Sequence, residues 1–531
     1  MKQRAKRDIV NLIASSCWFG AITGVLTAVV ITVYKVCAEH VISICETGYD
    51  FLREHLIWLP LVITALFGIA ALFAYCYRKT PNLRGGGIPT SIGILRGIVT
   101  FRWLKNLIGT FFLSLTSFLI GVPLGNEGPS VQMGTAVGRG TVSLFSKKHR
   151  AWDRYAMTGG ACAGFSVATG APVSGILFAV EEAHQRISPT ILLTAAFSVL
   201  FARITSEILS PLCGVSISLF PALQLPALST RDVWLPLLVG AAVGLFSVLF
   251  LHYFRSLNAL FHTVLGKLSR TVKTFLIFLL TLVAGLCSFS FISTGHHLIV
   301  SLLEGAPTLV MLLLILIVRT TLTISANTNG ITGGIFVPLL ALGAVVSAIL
   351  AKLLTLTGLP SEQYTLVLIL GITACIAGMM KMPLTAIVFS IEALSCSAHL
   401  LSVIATAATA YAITEIFGVH SINETVLERK IKNLNESKTA QVIDTFVTVQ
   451  EGAFAVGKQI RDIFWPANLF VLSVKHDPKR TAQVDQHGEK VIREGDILHI
   501  RYSTFDEAQT KTELIAIVGD QTYNETVTDI V

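Results

Sequence analysis

The chain has 531 residues, of which 53% are hydrophobic and only 14% are charged, and its mean hydropathy is +0.70. A soluble globular protein of this size does not have this composition, so that class is excluded. The net charge of +8 does not indicate nucleic-acid binding, because the basic residues form no stripe along a soluble face.

Apolar stretches follow one another from residue 9 to about residue 417. Many of them are long enough to cross a bilayer as helices, and we expect about ten to twelve full or partial spans. The clearest lie at 61–76, 235–252, 274–291, 309–325 and 400–417. The first apolar stretch has no small-residue cleavage site, which predicts that it is retained as a span. The chain is therefore predicted to be a polytopic α-helical membrane protein.

Two basic clusters, at 1–7 and 147–150, predict the orientation of the chain. Lysine and arginine are enriched in the cytoplasmic loops of membrane proteins, so we place both clusters inside the cell. The nine cysteines are scattered singly and the thirteen histidines have no metal-ligand spacing. We therefore place no metal site and expect no cofactor.

Three glycine- and proline-rich breaks interrupt the apolar region. They lie at 85–89 (Gly-Gly-Gly-Ile-Pro), 125–129 (Gly-Asn-Glu-Gly-Pro) and 333–338 (Gly-Gly-Ile-Phe-Val-Pro). Proline is favoured in the first turn of a helix, so each break predicts the start of a short apolar helix. The first N–H groups of a helix have no intrahelical partner, and converging helix starts favour an anion.

Glu127 lies within the second break, as an acidic residue at the predicted start of a helix inside an apolar region. Acidic side chains at membrane depth are costly and usually functional. A glutamate at this position would be a built-in substitute for an external anion, so we predict that it gates or carries ions. The alternative is a glutamate that only caps its helix.

Four other acids are candidates for function: Glu181, Glu182, Glu392 and Glu415. Glu181 and Glu182 are adjacent at the end of an apolar helix, and repulsion between two carboxylates favours a proton-carrying role. The alternative for this pair is a solvated helix end. We expect Glu392, at the end of the matching helix in the second half, to be structural.

The membrane part contains an internal repeat. Segment 172–181 (Pro-x-Ser-x-Ile-x-Phe-x-x-Glu) matches segment 383–392 (Pro-x-Thr-x-Ile-x-Phe-x-x-Glu), 211 residues later. We therefore divide the region 1–435 into repeats at about 8–215 and 230–435. Internal symmetry with interrupted spans is typical of secondary transporters whose site lies at the repeat interface.

The composition changes after residue 438, where we predict a small α+β domain at 439–531. Strands are expected at 442–449 and 469–475, and two more at 491–501 on either side of a turn at 494–496. Short helices are expected at 457–463 and 506–515. The basic clusters predict that this domain is cytoplasmic.

The three breaks, in this order, resemble the CLC family of anion channels and anion/proton antiporters over nearly all of 8–435. The resemblance implies a homodimer in the bilayer with one anion pathway in each subunit. It assigns Glu127 as the external gating glutamate and Glu182 as the inner proton-transfer residue, with Glu181 beside it. The anion-binding positions that it implies are Gly86, Gly87, Ile88, Asn126, Gly128, Ile335, Phe336 and Asn423.

Two positions depart from the family pattern. The usual serine of the first motif is Gly86 here, and the usual tyrosine of the last membrane helix aligns with Asn423. Both typical side-chain ligands of the inner anion site would then be missing. Fluoride-exporting members also depart at these positions, so fluoride remains an alternative to chloride.

The tail resembles the C-terminal ligand-binding domain of potassium-transport regulators (TrkA-C or RCK-C), through 456–466 and 493–496. This predicts a bacterial inner-membrane protein regulated by a soluble ligand; a dimerising cap without a ligand is the alternative. Potassium transport itself is disfavoured, because the selectivity filter sequence Thr-Val-Gly-Tyr-Gly is missing.

Proton-coupled chloride antiport is the function that we predict from the sequence. A passive anion channel of the same fold, or a fluoride/proton antiporter, is the alternative. We do not expect an enzyme, since the chain has no H-E-x-x-H and no G-x-S-x-G motif.

Overall fold

The computed structural model describes residues 2–145, 151–228, 230–305, 307–435, 440–476, 488–520 and 524–529. The basic cluster at 147–150 lies outside these ranges.

The membrane part is helical throughout. Its helices are α1 (Lys2–Glu54), α2 (Leu59–Lys79), α3 (Ile88–Leu95), α4 (Trp103–Ile120), α5 (Glu127–Phe145), α6 (Asp153–Thr169), α7 (Pro172–Phe178), α8 (Pro189–Leu212), α9 (Trp234–Val264), α10 (Arg270–Cys287), α11 (His296–Glu304), α12 (Leu309–Asn329), α13 (Phe336–Leu356), α14 (Tyr364–Met379), α15 (Pro383–Ala393), α16 (Leu400–Ile416) and α17 (Ile422–Asn435). The tail contains β1 (Gln441–Thr448), β2 (Leu469–Lys475), β3 (Ile497–Thr504), α18 (Glu507–Val518) and β4 (Asn524–Asp529).

Ten helices in the described ranges are long and apolar enough to cross a bilayer. Several of them leave large apolar side chains exposed, as α2 does with Leu61, Phe67 and Leu72, which suits a surface that faces lipid. The predicted fold class, a polytopic α-helical membrane protein with a small α+β domain, is confirmed.

Glycines allow the inner helices to pack backbone against backbone. A Cβ atom built on Gly134 of α5 would lie 2.0 Å from the carbonyl oxygen of Gly160 in α6, and the reverse holds at the same distance. Small residues at such crossings are typical of membrane helices, where close van der Waals packing drives association. α5 and α6 thereby form a tight pair behind the second break.

We predicted that a short helix follows each of the three breaks, but this is wrong for two of them. α3 has 8 residues, but α5 has 19 and α13 has 21. Beyond the proline in the first turn, neither longer helix meets another proline, and the glycines within α5 are accommodated by its packing against α6.

The tail is a four-stranded antiparallel sheet in the order β2-β3-β1-β4, with α18 next to β1. The predicted helix at 457–463 is only a single 3₁₀ turn at Ile460–Asp462. Of the two strands predicted at 491–501, only β3 forms; Val491 makes one isolated bridge with Gln459. The loop that contains Gln459 is irregular, so the segment around Val491 forms no further strand pairing.

The tail packs directly on the membrane part. The Arg154 guanidinium, near the start of α6, donates to the Glu513 carboxylate at 2.5 Å and to the Trp465 carbonyl at 2.5 Å. The Tyr155 hydroxyl donates to the Asp462 carbonyl at 2.6 Å. The buried Phe464 ring lies 4.5 Å from the Tyr155 ring, centroid to centroid. This interface combines ion pairing with aromatic packing.

Candidate functional site

The three breaks meet at one place inside the membrane part. The N–H of Gly125 donates to the carbonyl of Gly334 at 2.6 Å, and the N–H of Gly334 returns a bond to Gly125 at 2.7 Å. α3 and α13 begin after Gly87 and Ile335, and neither start is capped by a side chain. Such starts leave N–H groups and partial positive charge directed at the same space.

Only glycine fits where the breaks touch. Gly87 has φ +70°, and a Cβ there would lie 2.2 Å from the carbonyl oxygen of Gly128. A Cβ on Gly128 would lie 2.5 Å from the carbonyl oxygen of Gly86 and 2.6 Å from the Cα of Gly334. Side chains at these positions would separate the helix starts, so the glycines hold the three breaks in backbone contact.

Glu127 is the first residue of α5 and is only 1% exposed. Within the described residues, neither carboxylate oxygen has a hydrogen-bond partner of normal geometry, although the N–H groups of Glu127 and Val337 face the carboxylate. The carboxylate folds over Gly125, where a Cβ would lie 2.4 Å from Oε2. A negative side chain therefore lies between the starts of α5 and α13, where an anion would otherwise be favoured.

Most of the predicted anion-binding residues are brought together. Around these helix starts lie the buried residues Gly86, Gly87, Ile88, Gly128, Ile335 and Phe336. Asn126 is half-buried, and its carbonyl accepts bonds from the N–H and the hydroxyl of Ser130 at 3.0 Å and 2.8 Å. The backbone of Asn126 thus shapes the first turn of α5.

Asn423, also predicted to bind the anion, contacts one of the predicted proton-transfer acids. It is 1% exposed, and its side chain interacts with the carboxylate of Glu182. Its Oδ1 has no hydrogen-bond partner among the described residues. The amide is thus engaged with an acid, and its predicted role as an anion ligand stays a prediction.

Glu182 is 3% exposed and belongs to a π-helical turn at Ala179–Ala183. The Ser421 hydroxyl donates to its carboxylate at 3.4 Å. Arg96, which ends α3, donates to the Glu182 carbonyl at 3.1 Å and makes two bonds of 3.0 Å to the Glu424 carboxylate. α3 therefore connects the anion-facing break at its start with the Glu182 turn at its end, about 12 Å away.

Glu181 faces another way from its neighbour. Its carboxylate accepts bonds from the N–H groups of Leu384 and Thr385 at 2.9 Å and 2.7 Å and from the Thr385 hydroxyl at 2.6 Å. These bonds cap the start of α15. The pair predicted to carry protons is therefore divided, because the tight turn directs adjacent carboxylates to different partners.

The remaining acids have structural partners. Glu392 accepts bonds from the N–H groups of Val173 and Ser174 at 2.8 Å and 2.9 Å, which fits its predicted structural role. Glu415 pairs with the Lys381 ammonium at 2.9 Å, and its side chain is 53% exposed. Neither carboxylate faces the three breaks.

A basic cavity of about 380 Å³ opens beside Gly86, and sequence reasoning missed it. Its walls carry five cationic residues, Arg78, Arg84, Arg270, Arg429 and Lys430. The density of basic residues at 429–432, beyond the last apolar stretch, is the sequence feature that could have indicated it. Focused positive charge raises the local concentration of anions.

Comparison with known proteins places the chain among anion transporters. The family model described as voltage gated chloride channel matches residues 69–415. The H(+)/Cl(−) exchange transporter ClcA of Vibrio vulnificus (strain YJ016) is 30% identical over 436 residues, covering 79% of this chain and 90% of that protein. The transporter of the same name from Vibrio cholerae (strain ATCC 39541) is 28% identical over 450 residues, covering 80% of this chain and 93% of that one.

Solved structures share the fold. A slow cyanobacterial Cl−/H+ antiporter superposes with a TM-score of 0.71 at 23% identity, covering 79% of this chain and 99% of that chain. A CLC-type fluoride/proton antiporter superposes with a TM-score of 0.63 at 20% identity, covering 76% of this chain and 96% of that chain. With the family match over most of the membrane part, these findings establish that the chain belongs to the voltage gated chloride channel family.

Proposed function

We propose that this protein exchanges chloride for protons across the membrane, with Glu127 as the gate. The observation that carries the proposal is the buried Glu127 carboxylate, which lies among open helix starts without a hydrogen-bond partner among the described residues. When charged, it occupies the position that suits an anion. When protonated, it loses that attraction and can leave the position to chloride, which couples the two ions.

The inner proton acceptor in this proposal is Glu182 alone. Its buried carboxylate is held by Ser421 and Asn423, both of which can follow a change in its protonation through reorientation of a hydroxyl or an amide. Glu181 is removed from the proton path, since both of its oxygens are committed to the start of α15.

The anion is bound mainly by backbone N–H groups at the starts of α3, α5 and α13. Neutral donors suit transport, because a full countercharge at the centre would hold the ion too tightly for release. The five cations of the basic cavity lie outside the centre, where they attract anions.

A passive channel and a fluoride antiporter are the competing functions. The solved fluoride/proton antiporter shares this fold, which keeps fluoride in the comparison. The buried Glu182 favours exchange over a channel, since a passive pathway has no need of a second buried acid.

We place the protein in the inner membrane of a bacterium, as a homodimer with a cytoplasmic tail. The tail packs on residues 152–155, directly after the basic cluster at 147–150, so the positive-inside rule and the docking of the tail agree. A cavity of about 530 Å³ between the tail and the membrane part is lined by both Arg154 and Glu513, and it would receive a soluble regulator.

Proton uptake into proteoliposomes, driven only by an outward chloride gradient with the potential clamped, tests the function. Uphill proton movement supports exchange, and replacing chloride by fluoride then ranks the two anions. Chloride flux without proton movement would make the protein a channel. Proton coupling with fluoride but not with chloride would make fluoride, rather than chloride, the substrate.

A further inference from the structure

Asn327 is a buried polar side chain for which the fold provides no partner. It lies in the last turn of α12 and is 2% exposed. Neither Nδ2 nor Oδ1 has a hydrogen-bond partner among the residues that the structure describes. An unsatisfied buried amide destabilises the folded state, so such a group requires an explanation.

The side chain faces the first break. A Cβ built on Gly86 would lie 3.4 Å from Nδ2 of Asn327, 3.6 Å from Cδ of Pro89 and 3.7 Å from the carbonyl oxygen of Gly333. The amide nitrogen therefore lies next to the space where a side chain at position 86 would begin. Asn327 and Gly86 also line the same basic cavity.

The backbone of Asn327 is held firmly. Its carbonyl accepts bonds from the N–H of Gly330 at 2.9 Å and from the Arg429 guanidinium at 3.2 Å. Arg429 is itself fixed by a bond of 2.8 Å to Oδ1 of Asn258. An amide on a fixed backbone is positioned to bind a ligand at little entropic cost.

We propose that Asn327 binds the transported anion at the inner end of the pathway through its Nδ2, in place of the hydroxyl that position 86 lacks. This inference rests on the proposed function and adds a ligand to it. The ligand class is a small monovalent anion that accepts hydrogen bonds, such as a halide or nitrate. The amide suits passage, because it offers two N–H donors without a net charge.

Asn423, the other asparagine considered for this role, interacts with Glu182 instead. The cations of the cavity, Arg78, Arg84, Arg270, Arg429 and Lys430, attract anions to it. Asn327 is the residue that would bind the anion directly within it.

The test is calorimetric titration of the detergent-solubilised full chain with chloride, bromide, nitrate and fluoride. Asn327→Leu removes the amide but keeps a similar shape. We expect this variant to bind its preferred anion about tenfold more weakly, which corresponds to the loss of one hydrogen bond to a charged group. We also expect a higher melting temperature, since an unsatisfied polar group is removed from the interior. A purely structural asparagine would not weaken binding while raising stability.

Two further variants control the result. Gly86→Ser in the Asn327→Leu background should restore affinity, because a serine there meets only ordinary van der Waals distances. Asn329→Leu removes another buried amide from the same turn (6% exposed), but one whose Nδ2 donates to the Thr274 hydroxyl at 3.1 Å. This control should lose stability and keep anion affinity.

Unchanged affinity in Asn327→Leu, or an equal loss in Asn329→Leu, would overturn the assignment of Asn327 and leave the proposed function intact. If the wild-type chain binds none of the four anions, the proposed function and this inference both fail. Asn327→Ala gives the same measurement if the leucine variant does not fold.

Discussion

Glu181 and Glu392 occupy equivalent positions in the two halves of the chain, and each caps the start of the short helix at whose end the other lies. Glu181 follows α7 and binds the start of α15, whereas Glu392 lies in α15 and binds the start of α7. The two hydroxyl donors, Thr385 and Ser174, also correspond. Reciprocal capping requires the two helices to run antiparallel, as inverted repeats would.

Glu181→Gln and Glu392→Gln should therefore behave alike. Each replaces a charged acceptor at a helix start by a neutral one, and we expect a loss of about 1–3 kcal/mol in unfolding free energy. Proton-to-chloride coupling in proteoliposomes should remain that of the wild type. If Glu181→Gln abolished proton movement while Glu392→Gln did not, Glu181 would return to the proton path.

Glu182→Gln should stop proton movement and leave chloride flux. The amide cannot carry a proton, but its size preserves the contacts with Ser421 and the surrounding turn. Parallel recordings of chloride efflux and proton uptake test this expectation. Wild-type coupling in this variant would require a different inner acceptor.

Glu127→Gln should uncouple chloride flux from protons. A glutamine has the shape of the protonated glutamate but no charge with which to compete for the helix starts. Chloride flux should persist and lose its dependence on pH, which a flux assay between pH 5 and pH 8 can measure. Strict coupling in the variant would exclude Glu127 as the gate.

The sequence was sufficient to predict the three breaks and Glu127, because glycine, proline and an acid at a helix start act locally. It could not separate Glu181 from Glu182, since the direction of each carboxylate depends on a π-helical turn. Asn327 and Gly86 are far apart in the chain, and only the packing of α12 against the first break brings them together. The basic cavity was missed for the same reason.

Phe464→Ala should change the rate of ion exchange, because it weakens the contact between the tail and the membrane part. The Phe464 ring lies 4.6 Å from the ring of His184, which follows the Glu182 turn, and 4.8 Å from the Arg186 guanidinium. Loss of this packing should loosen the turn and alter the rate of exchange, while anion affinity stays the same. Phe446→Ala is the matched control, because that ring lies on the exposed face of β1. Equal rates in both variants and in the wild type would argue against communication between the tail and the pore.

Deletion of residues 439–531 should likewise alter regulation and retain the pore; loss of folding would instead make the tail structural.

Lys430 should make anion binding at the basic cavity beside Gly86 sensitive to pH. It lies in α17, where its ammonium donates to the Thr90 hydroxyl at 2.7 Å. Burial, together with the nearby Arg84, lowers the pKa of Lys430 to about 7. The cavity therefore gains a positive charge below pH 7 and loses it above. We expect bromide affinity to fall about threefold to tenfold between pH 6 and pH 8, from the loss of one nearby charge.

Calorimetry in a Glu127→Gln and Glu182→Gln background isolates this effect, since neither acid then titrates. Lys430→Arg should keep high affinity at both pH values, and Lys430→Met should bind weakly at both. A depressed lysine pKa also means that the unfolded state binds more protons between pH 7 and pH 10, so stability should rise with pH over this window. Lys430→Met should reduce that rise. A pH profile of bromide affinity that is the same in Lys430→Met as in the parent would show that another group titrates.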